Sequence, residues 1–317
     1  MLSTRKVLQN HQKNDFLVIL ILFSFLAFYA IIWANTRWGK AMRRTKLNNY
    51  YLEMEEHYLH LPYYDEERRI RVLLPKDYNK EDWASYPVLY MHDGQNIFYS
   101  KESFSGYSWK IIPTIKKHKE LPKVIIVGID NAEGNRLNEY APWMTDVGTT
   151  PETASVGGDG MAYGEWVINT VKPFIDKTYR TKPDREHTLL AGSSMGGIIT
   201  AYMGSAYPET FGGLGVFSLA SWFSERDFLR YCDSHPLDKD TNVYIQVGTK
   251  EGDEVDEAFA PNMNQAYIDC SLHYYQSLLK SGSPMDKIEL RVMANEIHHE
   301  KYWADHFLEF LEFTLKE

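Results

Sequence analysis

The longest hydrophobic run in the chain, Phe16 to Trp33, reads FLVILILFSFLAFYAIIW, with Ser24 its only polar residue and no charge. As a helix it rises roughly 27 Å, close to the hydrocarbon thickness of a bilayer. A core helix keeps a polar stripe, and this run is apolar all round. Ala30 and Ala34 are separated by Ile31, Ile32 and Trp33, which is not the small-residue arrangement of a cleaved signal peptide. The pattern predicts a single uncleaved transmembrane anchor over 16–34, behind a basic leader at 1–15 and ahead of a cationic juxtamembrane linker at 35–49. Arg5, Lys6 and Lys13 balance Arg37, Lys40, Arg43, Arg44 and Lys46 across the span. The amino-terminal position of the anchor places the body outside the cytoplasm, although the cations at 37–46 oppose that orientation.

Downstream the hydrophobic period shortens. Tyr51 to His60 and Arg68 to Leu74 read as two strands around the polar turn Tyr63-Tyr64-Asp65-Glu66, and Pro75 ends the second. Continuous apolar runs follow at Pro87–Met91, Val124–Ile129, Thr188–Ala191, Gly215–Phe217, Val243–Val247 and Ile288–Met293. Stretches of helical period stand between and after them, at Tyr163–Tyr179, Met195–Tyr207, Gln265–Leu279 and Lys301–Leu315. Strands without polar alternation are buried on both faces. The prediction is an α/β fold: a mostly parallel central sheet with helices on both faces and an amino-terminal antiparallel hairpin. No repeat or linker divides residues 50–317, so they form one domain.

Composition narrows the class. The chain is 44% hydrophobic and 24% charged with ordinary Gly (20) and Pro (13), which excludes collagen-like and disordered chains. Cys232 and Cys270, the only cysteines, leave open one bridge or two buried thiols. Residues 1–46 hold eight Lys and Arg against Asp15, so the body is more acidic than the −9 of the whole chain. A body of that sign repels polyanions and argues against nucleic acid as a partner.

In such sheets the chemistry lies beyond the carboxyl ends of the strands. After Thr188–Ala191 comes Gly192-Ser193-Ser194-Met195-Gly196, a G-x-S-x-G match opening a helix, which makes Ser194 the candidate nucleophile. Its hydroxyl needs a base oriented by an acid. Glu251 and Asp253 follow the strand Val243–Val247, and His298 and His299 follow Ile288–Met293, in the chain order this arrangement requires. The backbone N–H groups of Met195 and of Gln95, in the loop after Pro87–Met91, are the candidate oxyanion donors. The histidines lack the H-E-x-x-H spacing of a zinc site, and nothing in the chain calls for a metal or cofactor. Aromatic residues make up 14% of the chain, and Trp109, Trp143, Trp166 and Trp222 fall in or near strand-exit loops, Trp222 as a pocket candidate.

Five stretches together carry a resemblance: VLYMHDGQNIF (88–98), IIVGIDNAEGNRLNEYAPW (125–143), YRTKPDREHTLLAGSSMGG (179–197), VGTKEG (247–252) and HHEKYW (298–303). They resemble the "putative esterase" family of the α/β-hydrolase superfamily, which includes enterochelin and feruloyl esterases, S-formylglutathione hydrolases and mycolyltransferases. The resemblance implies an α/β-hydrolase fold. Its H-x-E-x-x-W stretch falls on His298, Glu300 and Trp303 and favours His298 over His299. It favours Glu251 as the acid, with Asp253 and His299 in reserve. Arg136, Glu139 and Tyr140 match an R-x-x-E-Y stretch near the pocket, where an ion pair fixing the loop is the plainer role.

The function expected is a serine carboxylesterase acting on a small-molecule ester through an acyl-enzyme. An acyltransferase differs only in the acceptor admitted, and an inactive membrane-tethered binding module is the alternative of another class. The sequence leaves the substrate and the oligomeric state open.

Overall fold

The computed structural model describes residues 53–147, 156–252 and 262–315, all within the compact unit Lys46–Glu317. The anchor expected at 16–34, its flanks at 1–15 and 35–49, and Asp253 lie outside the described residues. Among the described residues, no helix is long and apolar enough to cross a membrane.

Eight strands form one sheet in the order β1-β2-β4-β3-β5-β6-β7-β8. The hairpin is β1 (Glu53–Leu61) and β2 (Glu66–Leu74), antiparallel to each other, with β2 antiparallel to β4. From β4 onward every pairing is parallel: β3 (Val88–Met91), β4 (Ile125–Ile129), β5 (Thr188–Ser193), β6 (Gly213–Phe217), β7 (Asn242–Lys250) and β8 (Ile288–Ile297). All residues of β3, β4, β5 and β6 are buried, which is why their sequences lack alternation.

Alternate strand side chains feed two cores. On one face Val88, Tyr90, Leu190, Val243 and Ile245 pack with Ile198, Ile199 and Met203 of α5 (Met195–Ala206) and with Tyr267 and Tyr274 of α7 (Met263–Ser281). On the other, Leu89, Met91, Leu189, Phe217 and Tyr244 meet Ile111 and Ile112 of α1 (Ile111–Lys117) and Trp303, Phe307 and Phe310 of α8 (Glu300–Thr314). The remaining helices are α2 (Arg136–Tyr140), α3 (Gly160–Trp166), α4 (Lys172–Thr178) and α6 (Glu225–Ser234). A π-helical turn, Val167–Val171, joins α3 to α4 just before Pro173. Pro173 lacks a donor and its ring excludes the carbonyl four residues back, so the widened turn absorbs it where an unbroken helix was expected.

Three further departures from the sequence reading have local causes. β8 runs four residues past Met293, because an edge strand buries one face at most and its tail reads as polar. The α6 segment ERDFLRYCDS is short and charge-dense, and it is helical because Phe228 and Cys232 pack under it. Of the aromatic candidates, Trp109 and Trp166 are core residues, 2% and 3% exposed. Cys232 and Cys270 are both free and buried, and burial pushes the Cys232 thiol up to about 12.

Candidate active site

The carboxyl edge of the sheet is chemically uniform in one respect. The residue immediately after each parallel strand is polar: His92 after β3, Asp130 after β4, Ser194 after β5, Ser218 after β6, Glu251 after β7 and His298 after β8. Neighbouring strands thus deliver side chains to one edge without long loops.

Ser194 has φ 60° and ψ −124°, a conformation costly for any residue with a Cβ. Backbone bonds hold it there: its N–H donates to the Phe217 carbonyl at 2.9 Å, and its carbonyl accepts from the Gly197 N–H at 2.9 Å. A Cβ on Gly192 would lie 2.5 Å from the Gly196 carbonyl oxygen, so the crowding behind the motif is specific. Ser194 itself is half-buried. Met195 is the first residue of α5, and its N–H has no acceptor within the helix. The helix dipole adds partial positive charge at the same place.

Gln95 sits in a 3₁₀ turn, Gly94–Asn96. The turn lies so close to β4 that a Cβ on Gly94 would meet the Gly128 carbonyl carbon at 2.7 Å. The Gln95 side chain accepts from the Asn131 N–H at 3.0 Å, fixing the turn to the β4 exit. Asp93 does not cap this turn; its carboxylate takes the Arg136 guanidinium in two bonds, 2.6 and 2.8 Å, and the Asn131 amide at 2.5 Å. Burial works against the Asp93 anion, yet Arg136 and Asn131 outweigh it and hold the carboxyl below its ordinary range. Arg136 also reaches the Ser193 carbonyl at 3.4 Å, so it ties the Gln95 turn to the serine elbow.

Arg136, Glu139 and Tyr140 are therefore brought together with the site, but not as one ion pair. Glu139 is fully buried and pairs with Arg68 at 2.7 and 3.0 Å, while accepting from the Tyr63 hydroxyl at 2.6 Å. Tyr140 is also fully buried, and its hydroxyl accepts from the Asp93 N–H at 3.0 Å. Both brace the loop and present no open surface, which corrects their place among the pocket candidates. Arg136 and Trp222 keep partial exposure.

At the far strands the candidate acid and the candidate base meet. His298 Nδ1 lies 2.8 Å from Glu251 Oε2. Glu251 is 1% exposed, and its other oxygen accepts from the Gly248 N–H and the Ser218 hydroxyl, both at 2.6 Å. The Tyr267 ring lies 4.8 Å from the imidazole. His299 goes elsewhere: its Nδ1 accepts from the Lys301 N–H at 3.0 Å and caps α8. Asp253 lies outside the described residues, so the pairing seen is that of Glu251. Ser218 and His92 also belong to this edge: Ser218 stands in none of the matched stretches, and His92, though inside VLYMHDGQNIF (88–98), has no role marked by its position there.

His92 is sealed from solvent, and burial pushes its imidazole down to about 3. Its Nδ1 shares a 2.8 Å hydrogen bond with the Tyr163 hydroxyl. The unfolded chain takes up this proton below about pH 6.5, and the folded chain does so only near pH 3. Stability from this group is thus complete above pH 6.5 and falls by roughly 1.4 kcal/mol per pH unit between those limits. Urea unfolding at pH 6.5 and 5.5 should show a loss of about 1 kcal/mol in the wild type and a clearly smaller one in His92→Gln. Equal losses in the two proteins would mean that His92 titrates normally.

Residues 62–314 match the model of a family described as "Putative esterase". Over 246 residues the chain is 25% identical to the "Uncharacterized protein YbbA" of Bacillus subtilis, a match covering 77% of this chain and 91% of that one. Among solved structures, an IroE-like serine hydrolase from Shewanella oneidensis superposes with a TM-score of 0.66 at 19% identity, covering 82% of this chain and 79% of that one. The siderophore hydrolase EstA from Aspergillus nidulans gives 0.64 at 16% identity, covering 87% and 99%.

Proposed function

Because the chain belongs to the "Putative esterase" family and is a hydrolase, we propose that it is a carboxylesterase working by a Ser-His-Glu acyl-enzyme mechanism. The observation that carries this reading is the 2.8 Å bond between His298 and the buried Glu251, on the same sheet edge as a serine held at φ 60°. An ionised Glu251 keeps the proton of His298 on Nδ1, which leaves the Nε2 lone pair to accept the Ser194 proton. The Ser194 oxygen attacks the ester carbonyl, and the developing oxyanion is met by the Met195 and Gln95 N–H groups at the positive end of α5. The imidazolium then protonates the leaving alcohol. Water, deprotonated by the same imidazole, releases the acid and restores Ser194.

Treatment of the full-length protein with a fluorophosphonate tests this directly. Phosphonylation of Ser194 with loss of fluoride, in step with loss of p-nitrophenyl acetate turnover, is expected. No labelling and no turnover would mean that the fold serves as a binding module.

A further inference from the structure

We propose that Ser218, oriented by Trp303, is a positioning residue for Glu251; this rests on the serine esterase reading above. Ser218 is fully buried and sits at φ 45°, immediately beyond β6 between the strands that carry the serine and the acid. Its oxygen lies 2.7 Å from Trp303 Nε1 and 2.6 Å from Glu251 Oε1. An indole N–H can only donate, so Ser218 accepts from Trp303. The one proton of its hydroxyl is then committed to Glu251.

Every proton along the row has a single direction: Trp303 to Ser218, Ser218 to Glu251, and His298 to Glu251. Among the described residues no Lys or Arg pairs with Glu251, so its charge is held by three hydrogen bonds, from Gly248, Ser218 and His298. A Cβ at Gly248 would lie 2.3 Å from the Glu296 carbonyl oxygen, so the Gly248 donor has no room to move. Ser218 fixes the carboxylate on the side away from the histidine. Trp303 also sets its ring against the edge of His298, 5.1 Å away at 88°, and so touches both ends of the row. One turn of α8 separates it from the strand exit, which accounts for the spacing from His298 to Trp303. Among the described residues, the Tyr267 phenol of α7 also faces the pair.

The test uses the full-length protein and p-nitrophenyl acetate. Ser218→Ala should lower kcat by about 10- to 100-fold with KM within twofold, because the loss is of orientation and charge stabilisation and not of substrate contact. Removing a donor from the anion raises the proton affinity of the Glu251–His298 pair, so the acidic limb of kcat/KM moves to higher pH. Trp303→Phe keeps a ring and deletes the N–H; it should shift kcat and the limb in the same direction by a smaller amount. Added to His298→Ala, Ser218→Ala should cost nothing more. A wild-type kcat and limb in either single variant, or a further tenfold loss in the double variant, overturns the proposal. Activity retained by Ser194→Ala would instead overturn the esterase mechanism on which it rests.

Discussion

Ser194→Ala should lose roughly four to six orders of magnitude in p-nitrophenyl ester turnover while its thermal midpoint stays within a few degrees of the wild type. The two halves of this expectation have separate causes. Turnover depends on the hydroxyl, since in the proposed mechanism Ser194 supplies the nucleophile that His298 activates. The fold depends on the backbone of the elbow, whose bonds to Phe217 and Gly197 survive the change. Ser194→Gly extends the argument. Glycine adopts φ 60° without the penalty that a Cβ incurs, so this variant should be equally inactive and melt above the alanine variant. An alanine variant with more than a few per cent of wild-type turnover would remove Ser194 from the mechanism.

His298→Ala should fall to within about tenfold of Ser194→Ala, and the double variant should be no worse than either alone, because members of such a unit do not contribute independently. The contrast with the neighbouring residue is what makes the result decisive. His299 caps α8, so His299→Ala should keep most of the activity and lose about 1 kcal/mol of stability. If His299→Ala is the inactive one, the base is one residue further on. If the losses of Ser194→Ala and His298→Ala multiply, the two groups do not act in one step.

The parts legible in sequence are those fixed by local pattern. The buried strands declare themselves as apolar runs, and the elbow declares itself through its glycines, of which Gly192 would place a Cβ only 2.5 Å from the Gly196 carbonyl oxygen. Position at the strand exits narrows the acid to Glu251 or Asp253 and the base to His298 or His299, and the family resemblance chooses between them. What was not legible depends on residues distant in the chain. The i, i+3 spacing of Arg136 and Glu139 suggests one ion pair, whereas the fold gives Arg136 to Asp93 and Glu139 to Arg68. Trp303 was matched without a role, because its partner Ser218 stands 85 positions earlier. His92 lies inside a matched stretch, but its burial is not legible there, since only tertiary packing seals it from water.

The row of polar residues set one peptide bond past each strand divides the labour of the chain. The candidate reacting groups sit directly at the exits of the sheet strands, whereas loops continue beyond them. In the stretch from Tyr99 to Tyr107 that outer layer exposes Phe104 almost fully, and Ser105 reaches Glu300 at 2.5 Å. Loops of this kind can be lengthened, shortened or exchanged without displacing Ser194, His298 or Glu251. Such an architecture is modular, and altering selectivity by loop grafting is a more tractable route than redesign of the sheet edge.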